Sequence, residues 1–269
     1  RRATPRGSQR WWVGGAALVT AVIVLMPLAA LLERSLRTAD GYGLTAWRGL
    51  GNSEIRPGLS LGIDPLGALR QSLTTAVVAT AITVLIGGLA AAAITTTRRG
   101  GAVLDVGMTL PLATSAVTIG FGMLITFDTA PYDWRSEWWL VPVGHALVAV
   151  PFVVRTTVGV LRQIDPALRE AATILGAGPV RAWATATLPH LWRPLTAAAG
   201  FAGAISLGEF GATSFLSRSG RETLPVAIER LLGRTGQTFQ AQAYALSAIL
   251  AAATVAIVAI CDLLARRRP

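Results

Sequence analysis

The sequence contains no lysine: all 24 of its basic residues are arginine, and they stand against 14 acidic residues. Without lysine the phosphate-binding run G-x-x-x-x-G-K-[ST] cannot be built, which excludes a nucleotide site of that type. The one cysteine, Cys261, excludes an intrachain disulfide and a cysteine-based metal cluster. Any ATP hydrolysis linked to this chain must therefore be carried out by another polypeptide.

Catalytic motifs are also missing. The chain has no H-E-x-x-H run and no nucleophile elbow, and its acidic residues are scattered. His145 has no second histidine or acid at metal-ligand spacing, so we expect a buried imidazole with a single hydrogen bond instead of a metal ligand. We predict no catalytic residue, no metal site and no enzyme activity for this chain alone.

What the chain does contain is apolar sequence. Hydrophobic residues make up 52% of its 269 residues, the mean hydropathy is +0.54, and several runs approach the length that crosses a bilayer. The net charge of +10 is typical of nucleic-acid binding as well, but the arginines lie between the apolar runs and not on one polar face. We predict a membrane protein in contact with lipid, with no nucleic-acid partner.

Six spans can be drawn, at about 11–32, 69–94, 103–127, 140–160, 195–216 and 241–264. The first is too long for a cleaved signal peptide, which predicts an uncleaved anchor. Pro111 and nearby glycines predict a kink or packing seam in the third. The segment 33–64 is rich in Gly, Pro and charge, and we predict a solvent-exposed loop with little regular structure. The fold class is all-α, a polytopic membrane protein.

The arginines predict the orientation. If both termini are cytoplasmic, 14 of the 24 arginines lie on the inner side and 10 on the outer side. Long loops count least in the positive-inside rule, and the long first loop is on the outer side. This orientation also places the polar segment 161–194 in the cytoplasm.

The segment 161–194 predicts two short helices joined by a glycine turn. Asp165 is a suitable N-cap, and Pro166 fits the first helical position, where its missing N–H costs nothing. Residues 176–178 read Gly-Ala-Gly and allow backbone conformations closed to larger residues. Pro179 then fits the first turn of a second helix.

Within this segment Glu170-Ala171-Ala172 is followed after three residues by Gly176, and after eleven more by Leu188-Pro189. This spacing resembles the EAA loop of permease subunits of binding-protein-dependent ABC importers, although Ala186 stands where the family has Ile. The resemblance implies a type I (MetI-like) permease fold, with this loop as a coupling helix that docks on an ATPase. The implied coupling residues are Glu170, Ala171, Ala172, Leu175, Gly176, Ala177, Leu188 and Pro189. An Ala-Ala-x-x-x-Gly run also suits any loop between closely packed membrane helices.

The family resemblance implies partners and a location. The expected partners are a cytoplasmic ATP-binding cassette ATPase, a second permease domain that is identical, different or fused, and an extracytoplasmic solute-binding protein. No cofactor is expected on this chain, since the ATPase uses the ATP. The implied location is the bacterial inner membrane. Residues 1–65 would form a basic tail, the first helix and an external loop, and residues 66–269 the permease core. Because the chain begins with Arg1, we expect either a trimmed protein or half of a longer duplicated permease.

A second stretch of sequence indicates a subgroup of these permeases. Ser206-Leu207-Gly208-Glu209-Phe210-Gly211-Ala212-Thr213, followed by a Thr-Leu-Pro run at 223–225, resembles the permeases for ferric iron, thiamine, molybdate and sulfate. The resemblance implies import of ferric iron or a related small solute from that group.

Glu209 is the most informative residue outside the coupling loop. Some fourteen residues into the fifth span, a carboxylate is costly in hydrocarbon and should face a helix interface or an aqueous cavity. Together with Phe210 it is a candidate for the pathway wall or gate, where it would attract a cation and repel an anion. Alternatively, it makes a hydrogen bond to a neighbouring helix, with Gly208 and Gly211 allowing close approach. A different function class, a secondary transporter in which Glu209 carries protons, also fits the sequence.

Overall fold

The computed structural model of the chain describes residues 9–38, 41–51, 54–56, 59–60, 64–97, 100–129, 131, 133–218 and 220–266. The rest of the basic tail, the Arg98 and Arg99 pair, and Arg267 and Arg268 lie outside the described residues.

Helices dominate the described residues, as predicted. The long ones are α1 (Gln9–Leu36), α3 (Pro65–Thr96), α6 (Leu140–Leu161), α9 (Leu188–Gly208) and α12 (Gln237–Arg266). The short ones are α2 (Thr45–Gly49), α4 (Gly101–Thr109), α5 (Ala116–Phe127), α7 (Ala167–Ile174), α8 (Pro179–Ala186), α10 (Thr213–Leu216) and α11 (Leu224–Leu232). Two small antiparallel pairs, β1 (Arg37–Thr38) with β2 (Gly41–Tyr42) and β3 (Glu54–Arg56) with β4 (Leu59–Ser60), follow α1.

Four helices in the described part of the chain are long and apolar enough to cross a membrane, namely α1, α3, α6 and α12. The bent pair of α4 and α5 makes a fifth span if it counts as one. A 3₁₀ turn (Leu110–Ala113) with Pro111 at its start joins the two, and the axes bend by 100°. The kink predicted in the third span is confirmed. The fifth predicted span is wrong as a continuous helix, since α9 ends at Gly208 and the chain turns before α10.

The first loop is more ordered than the sequence predicts. Its short helix α2 places Ala46, Trp47 and Leu50 on one face, and Ala46 and Leu50 are buried. Leu50 packs in a cluster with residues of α11 and α12, and Trp47 donates a hydrogen bond from Nε1 to Ser35 Oγ at 3.1 Å. Three apolar residues within one helical turn are enough to bind this loop to the bundle. The prediction of little regular structure is therefore wrong for α2.

The bundle centre is formed by α3, α6 and α9, and small residues let these helices approach closely. A Cβ atom on Gly87 of α3 would lie only 2.9 Å from Val153 Cγ1 and 3.0 Å from Val153 Cβ on α6. Val153 is fully buried, and its branched side chain has little freedom to move away. Gly87 is therefore a close contact between α3 and α6, and a side chain at this position would push the two helices apart.

Alanine at two neighbouring glycines should have opposite effects. Gly87→Ala should lower the free energy of unfolding by about 1–3 kcal/mol because the new methyl overpacks Val153. Gly88→Ala, whose Cβ would lie 3.8 Å from Leu195 Cδ2, should raise it by about 0.5–1 kcal/mol by restricting the unfolded chain. Thermal unfolding in nanodiscs, followed by tryptophan fluorescence, measures both. Equal changes for the two variants would contradict this account of the contact between α3 and α6.

Candidate functional site

The segment between α6 and α9 folds into a helical hairpin made of α7 and α8. Asp165 Oδ1 accepts a hydrogen bond from the N–H of Ala167 at 2.9 Å, and Pro166 already has helical dihedral angles, φ −55° and ψ −29°. Asp165 thus satisfies one of the free N–H groups at the start of α7. The capping hydrogen bond predicted for Asp165 is confirmed, whereas α7 itself begins at Ala167, and Pro166, predicted at the first helical position, directly precedes it.

The turn between the two helices depends on Gly176. Its φ is +87°, a left-handed conformation that costs a residue with a Cβ atom roughly 1–2 kcal/mol. The N–H of Gly176 donates to the carbonyl of Thr173 at 2.9 Å, and that of Ala177 donates to the carbonyl of Ala172 at 3.0 Å. This pair of bonds is the Schellman motif, which satisfies the last carbonyls of a helix and stops it sharply. Gly178 and Pro179 then begin α8.

The hairpin tip presents apolar side chains to the surroundings. Ile174, Leu175 and Val180 are 85%, 88% and 83% exposed. Ala177, one of the predicted coupling residues, is only partly exposed. Three large aliphatic side chains this exposed at one tip are typical of a surface that a partner covers.

The base of the hairpin is held against the bundle. Ala182 and Thr187 are buried, and a hollow of about 630 Å³ between α7, α8 and the end of α3 is lined partly by Glu170 and Trp183. Glu170 is exposed, and within the described residues it makes no ion pair. Leu188 and Pro189, in the first turn of α9, are also exposed, as is Ala171. The predicted coupling residues therefore come together on one hairpin and its connection to α9.

Glu209 lies at a break in the helix and not within a span. It is the C-terminal cap residue of α9 and is 8% exposed. Its Oε1 atom accepts a hydrogen bond from the N–H of Ala212 at 2.8 Å. The side chain therefore shapes the turn between α9 and α10. The expectation of a carboxylate fourteen residues into a continuous helix is wrong, because the helix ends at Gly208.

The carbonyl groups of this break are all paired. The Glu209 carbonyl accepts from Thr213 Oγ1, and the Phe210 carbonyl accepts from the Ser214 N–H. The Gly211 carbonyl accepts from Ser214 Oγ. The Ala212 carbonyl accepts from the N–H groups of both Phe215 and Leu216. In an apolar environment such pairing is what allows a chain to leave the helix.

His145 ties the break to α6. Its Nδ1 lies 2.8 Å from Ser206 Oγ at the end of α9, and its Nε2 lies 2.6 Å from Thr213 Oγ1 at the start of α10. Thr213 Oγ1 donates to the Glu209 carbonyl, so it accepts from His145, and Nε2 carries the ring proton. The imidazole is buried as predicted, but it makes two hydrogen bonds instead of one. Among the described residues, no group of three or more His, Cys, Asp or Glu side chains is placed to hold a metal ion.

The break also packs tightly against α5. A Cβ atom on Gly120 would lie 2.5 Å from Ala212 Cα, and one on Gly211 would lie 3.0 Å from the backbone nitrogen of Val117. Phe210, by contrast, is 40% exposed. Glu209 and Phe210 are therefore adjacent in sequence but face different surroundings.

The family described as "Binding-protein-dependent transport system inner membrane component" matches residues 83–268. The chain belongs to this family. It is thus a multi-pass inner membrane permease subunit of the binding-protein-dependent type, and the matched residues include the hairpin of α7 and α8 and the break at Glu209.

Curated relatives of this permease are similar over most of their length. A putative 2-aminoethylphosphonate transport system permease protein, PhnU, of Salmonella typhimurium is 29% identical over 81% of this chain and 79% of the relative. The sulfate transport system permease protein CysT of Escherichia coli is 28% identical over 76% and 73%. PhnV, a second putative 2-aminoethylphosphonate permease of Salmonella typhimurium, is 28% identical over 94% and 93%.

Two features of the permease were missed by sequence reasoning. Ile174 and Val180 flank the glycine turn and form its exposed tip. The signal in the sequence was their position, since Ile174 ends one short polar helix and Val180 lies in the first turn of the next. The bonds of His145 join residues 61 and 68 positions apart, and no local pattern signals such a distance.

Removal of the His145 imidazole should destabilise the permease. His145→Ala leaves the buried Ser206 and Thr213 hydroxyls without their ring partner, which costs about 1–3 kcal/mol for each group left unsatisfied. The exposed His190 provides the control, since His190→Ala should change the unfolding temperature little. The measurement is thermal unfolding of both variants in nanodiscs. If the two variants unfold at the same temperature, the link from α6 to the break does not stabilise the fold.

Proposed function

We propose that this permease is one half of the membrane pathway of an ATP-driven importer. A separate ATP-binding cassette ATPase binds the α7 and α8 hairpin in the cytoplasm, where both termini also lie. A second permease domain completes the pathway, and a solute-binding protein delivers substrate at the opposite face. The observation that carries this proposal is the exposed apolar tip of Ile174, Leu175 and Val180 on a sharply defined turn.

The hairpin is suited to transmit movement. The short segment 162–166 connects it to α6 on one side, and on the other only Thr187, which is buried, separates α8 from α9. The same two helices carry His145 and Ser206 beside the break. A displacement of the tip by the ATPase would therefore move α6 and α9, the two helices whose side chains His145 and Ser206 lie beside the break. Glu170, exposed on α7, is available to pair with a basic residue of the ATPase.

Glu209 and Phe210 have different proposed roles in the pathway wall. Glu209 acts as a positioning residue, because its carboxylate satisfies the Ala212 N–H and so sets the course of the chain. Phe210 is the exposed member of the pair and faces the second permease domain or the pathway. The hydrogen bond from the Ala212 N–H occupies one carboxylate oxygen, Oε1, and directs the Glu209 side chain into the turn.

The substrate proposed is a small tetrahedral oxyanion of the sulfate or phosphonate type. Relatives named for sulfate and for 2-aminoethylphosphonate support this choice over ferric iron and thiamine, the other solutes implied by the Ser206 to Thr213 stretch. Binding of labelled sulfate, 2-aminoethylphosphonate, ferric iron and thiamine to the associated solute-binding protein separates these possibilities.

The energy source distinguishes this function from proton-coupled transport through Glu209. Vesicles containing the assembled importer and its binding protein should accumulate labelled substrate when ATP is enclosed, and they should do so without a proton gradient. A protonophore should leave this uptake unchanged. Glu209→Gln should keep most of it, because the glutamine amide oxygen can still accept from the Ala212 N–H, whereas a proton-carrying Glu209 could not be replaced in this way. Uptake that depends on the proton gradient and is independent of ATP would contradict the proposal.

The turn at Gly176 should be needed for coupling. Gly176→Val should reduce uptake per ATP hydrolysed at least about tenfold, because a β-branched residue resists the left-handed conformation and the tip shifts. Gly176→Asn, of similar size but tolerant of that conformation, should keep most coupling. Gly178→Val is the control for bulk, since Gly178 has φ −63° and open space around it. ATPase rate and uptake are measured together in proteoliposomes, and normal coupling in Gly176→Val would count against docking through this turn.

A further inference from the structure

A small hollow with three arginines in its lining lies at the start of α6, the end of that helix opposite to the hairpin of α7 and α8. Its volume is about 200 Å³, and its lining includes Arg135, Arg218 and Arg221, with Gln71 of α3 and Glu137 of the loop before α6. At 1.5 Å per residue, the 22 residues of α6 separate it from the hairpin by about 33 Å. The hollow therefore faces the side of the membrane from which an importer takes its substrate.

A tight turn holds two of these arginines together. The N–H of Arg221 donates to the carbonyl of Arg218 at 3.0 Å, which closes a four-residue turn. Gly220 within it has φ +81°, a conformation that suits glycine. The end residues of such a turn lie close together, so Arg218 and Arg221 enter the hollow from neighbouring points.

The acid next to this turn is engaged elsewhere. Glu222 is buried, accepts from the N–H of Gly220 at 3.1 Å with both carboxylate oxygens, and pairs with Arg230. It does not neutralise Arg218 or Arg221, which are exposed and make no ion pair within the described residues.

Arg135 and Glu137 complete the charge balance of the hollow. Arg135 pairs with Asp128 through one nitrogen at 2.6 Å and keeps other N–H donors. Glu137 is the acidic side chain in the lining, and it is exposed. Since Asp128 balances Arg135, Glu137 faces two unpaired guanidinium groups, and the hollow retains a positive charge.

The hollow also adjoins the break in the helix. Leu216, the last residue of α10, lines it, and α10 begins directly after Ala212, whose N–H is bound by Glu209. An anion in the hollow would therefore lie one short helix away from the proposed pathway wall.

We propose that this hollow is an oxyanion site at the outer mouth of the permease, formed by Arg218 and Arg221 with Arg135. Its ligand is a sulfate, phosphate or phosphonate group, whose oxygens match the paired N–H donors of guanidinium groups. The proposal rests on the proposed function, since it assigns the hollow to the importer's substrate side. It adds a site on the permease itself, separate from the solute-binding protein.

Direct anion binding tests this site. The assembled importer in nanodiscs, without ATP and without the binding protein, is equilibrated with radiolabelled sulfate and, separately, with radiolabelled inorganic phosphate. Saturable binding of at least one anion is expected, and the double variant Arg218→Gln with Arg221→Gln should weaken it at least about tenfold. Replacement of both by lysine should give intermediate binding, because the charge remains but the paired donors are lost. Arg48→Gln, an exposed arginine on α2, is the charge-matched control and should bind as the parent does.

The following results overturn the proposal. Absence of saturable binding to the parent importer, or equal binding by the parent and the double glutamine variant, excludes the site. If the double variant loses affinity for the binding protein and keeps its direct anion binding, the arginines form a protein-docking surface instead. The unfolding temperature of the double variant shows whether a loss reflects misfolding, and in that case the single variants replace it. ATP-driven uptake that persists without direct anion binding rejects the hollow alone, whereas uptake that ignores ATP rejects the importer function itself.

Discussion

The need to pair every backbone polar group in apolar surroundings governs this structure. It explains why the bundle is built from long regular helices, and it limits where the chain can leave a helix. Between α9 and α10 the chain does so because Glu209 binds the Ala212 N–H and because the hydroxyls of Thr213 and Ser214 take up free carbonyls. Polar residues in the middle of an apolar stretch thus replace the hydrogen bonds that a helix would have supplied.

Close contacts at glycine make the bundle rigid around this break. Gly87 meets Val153, Gly120 meets Ala212, and Gly203 meets Ile257 of α12, each at a distance that leaves no room for a Cβ atom. Interiors packed in this way move as units and do not deform continuously. The helices α6 and α9 are therefore suited to carry a displacement along their length, as the proposed coupling to an ATPase requires.

The two ends of α6 have opposite chemistry. At one end lies the apolar tip of Ile174, Leu175 and Val180, and at the other lies the arginine-lined hollow. An apolar tip on a fixed turn is suited to a protein surface, since burial supplies the free energy of binding. Guanidinium groups are suited to a small hydrated anion, since they replace its water with directed hydrogen bonds. Under the proposed function, the same helix bundle joins an end that binds the ATPase to an end that faces the solute.

The sequence by itself determined the features that depend on length and on local bonds. Long apolar runs require a membrane, and the Asp165 cap and the Gly176 turn involve partners at most five residues away, so both could be predicted from spacing. The Glu-Ala-Ala and Gly spacing likewise indicated the family before the fold was known.

Only the tertiary structure decided where α9 stops, how α2 binds the bundle and which arginines remain unpaired. The apolar sequence continues across residues 195–216 although the helix does not. Hydropathy reports whether a side chain prefers an apolar environment, and it carries no information on which groups the backbone hydrogen-bonds to. The partner that secures the break, His145, lies 61 and 68 residues away from the groups it binds. Likewise, Arg218 and Arg221 make no ion pair within the described residues while Glu222 pairs with Arg230, an arrangement set by packing in three dimensions that a count of charges does not show.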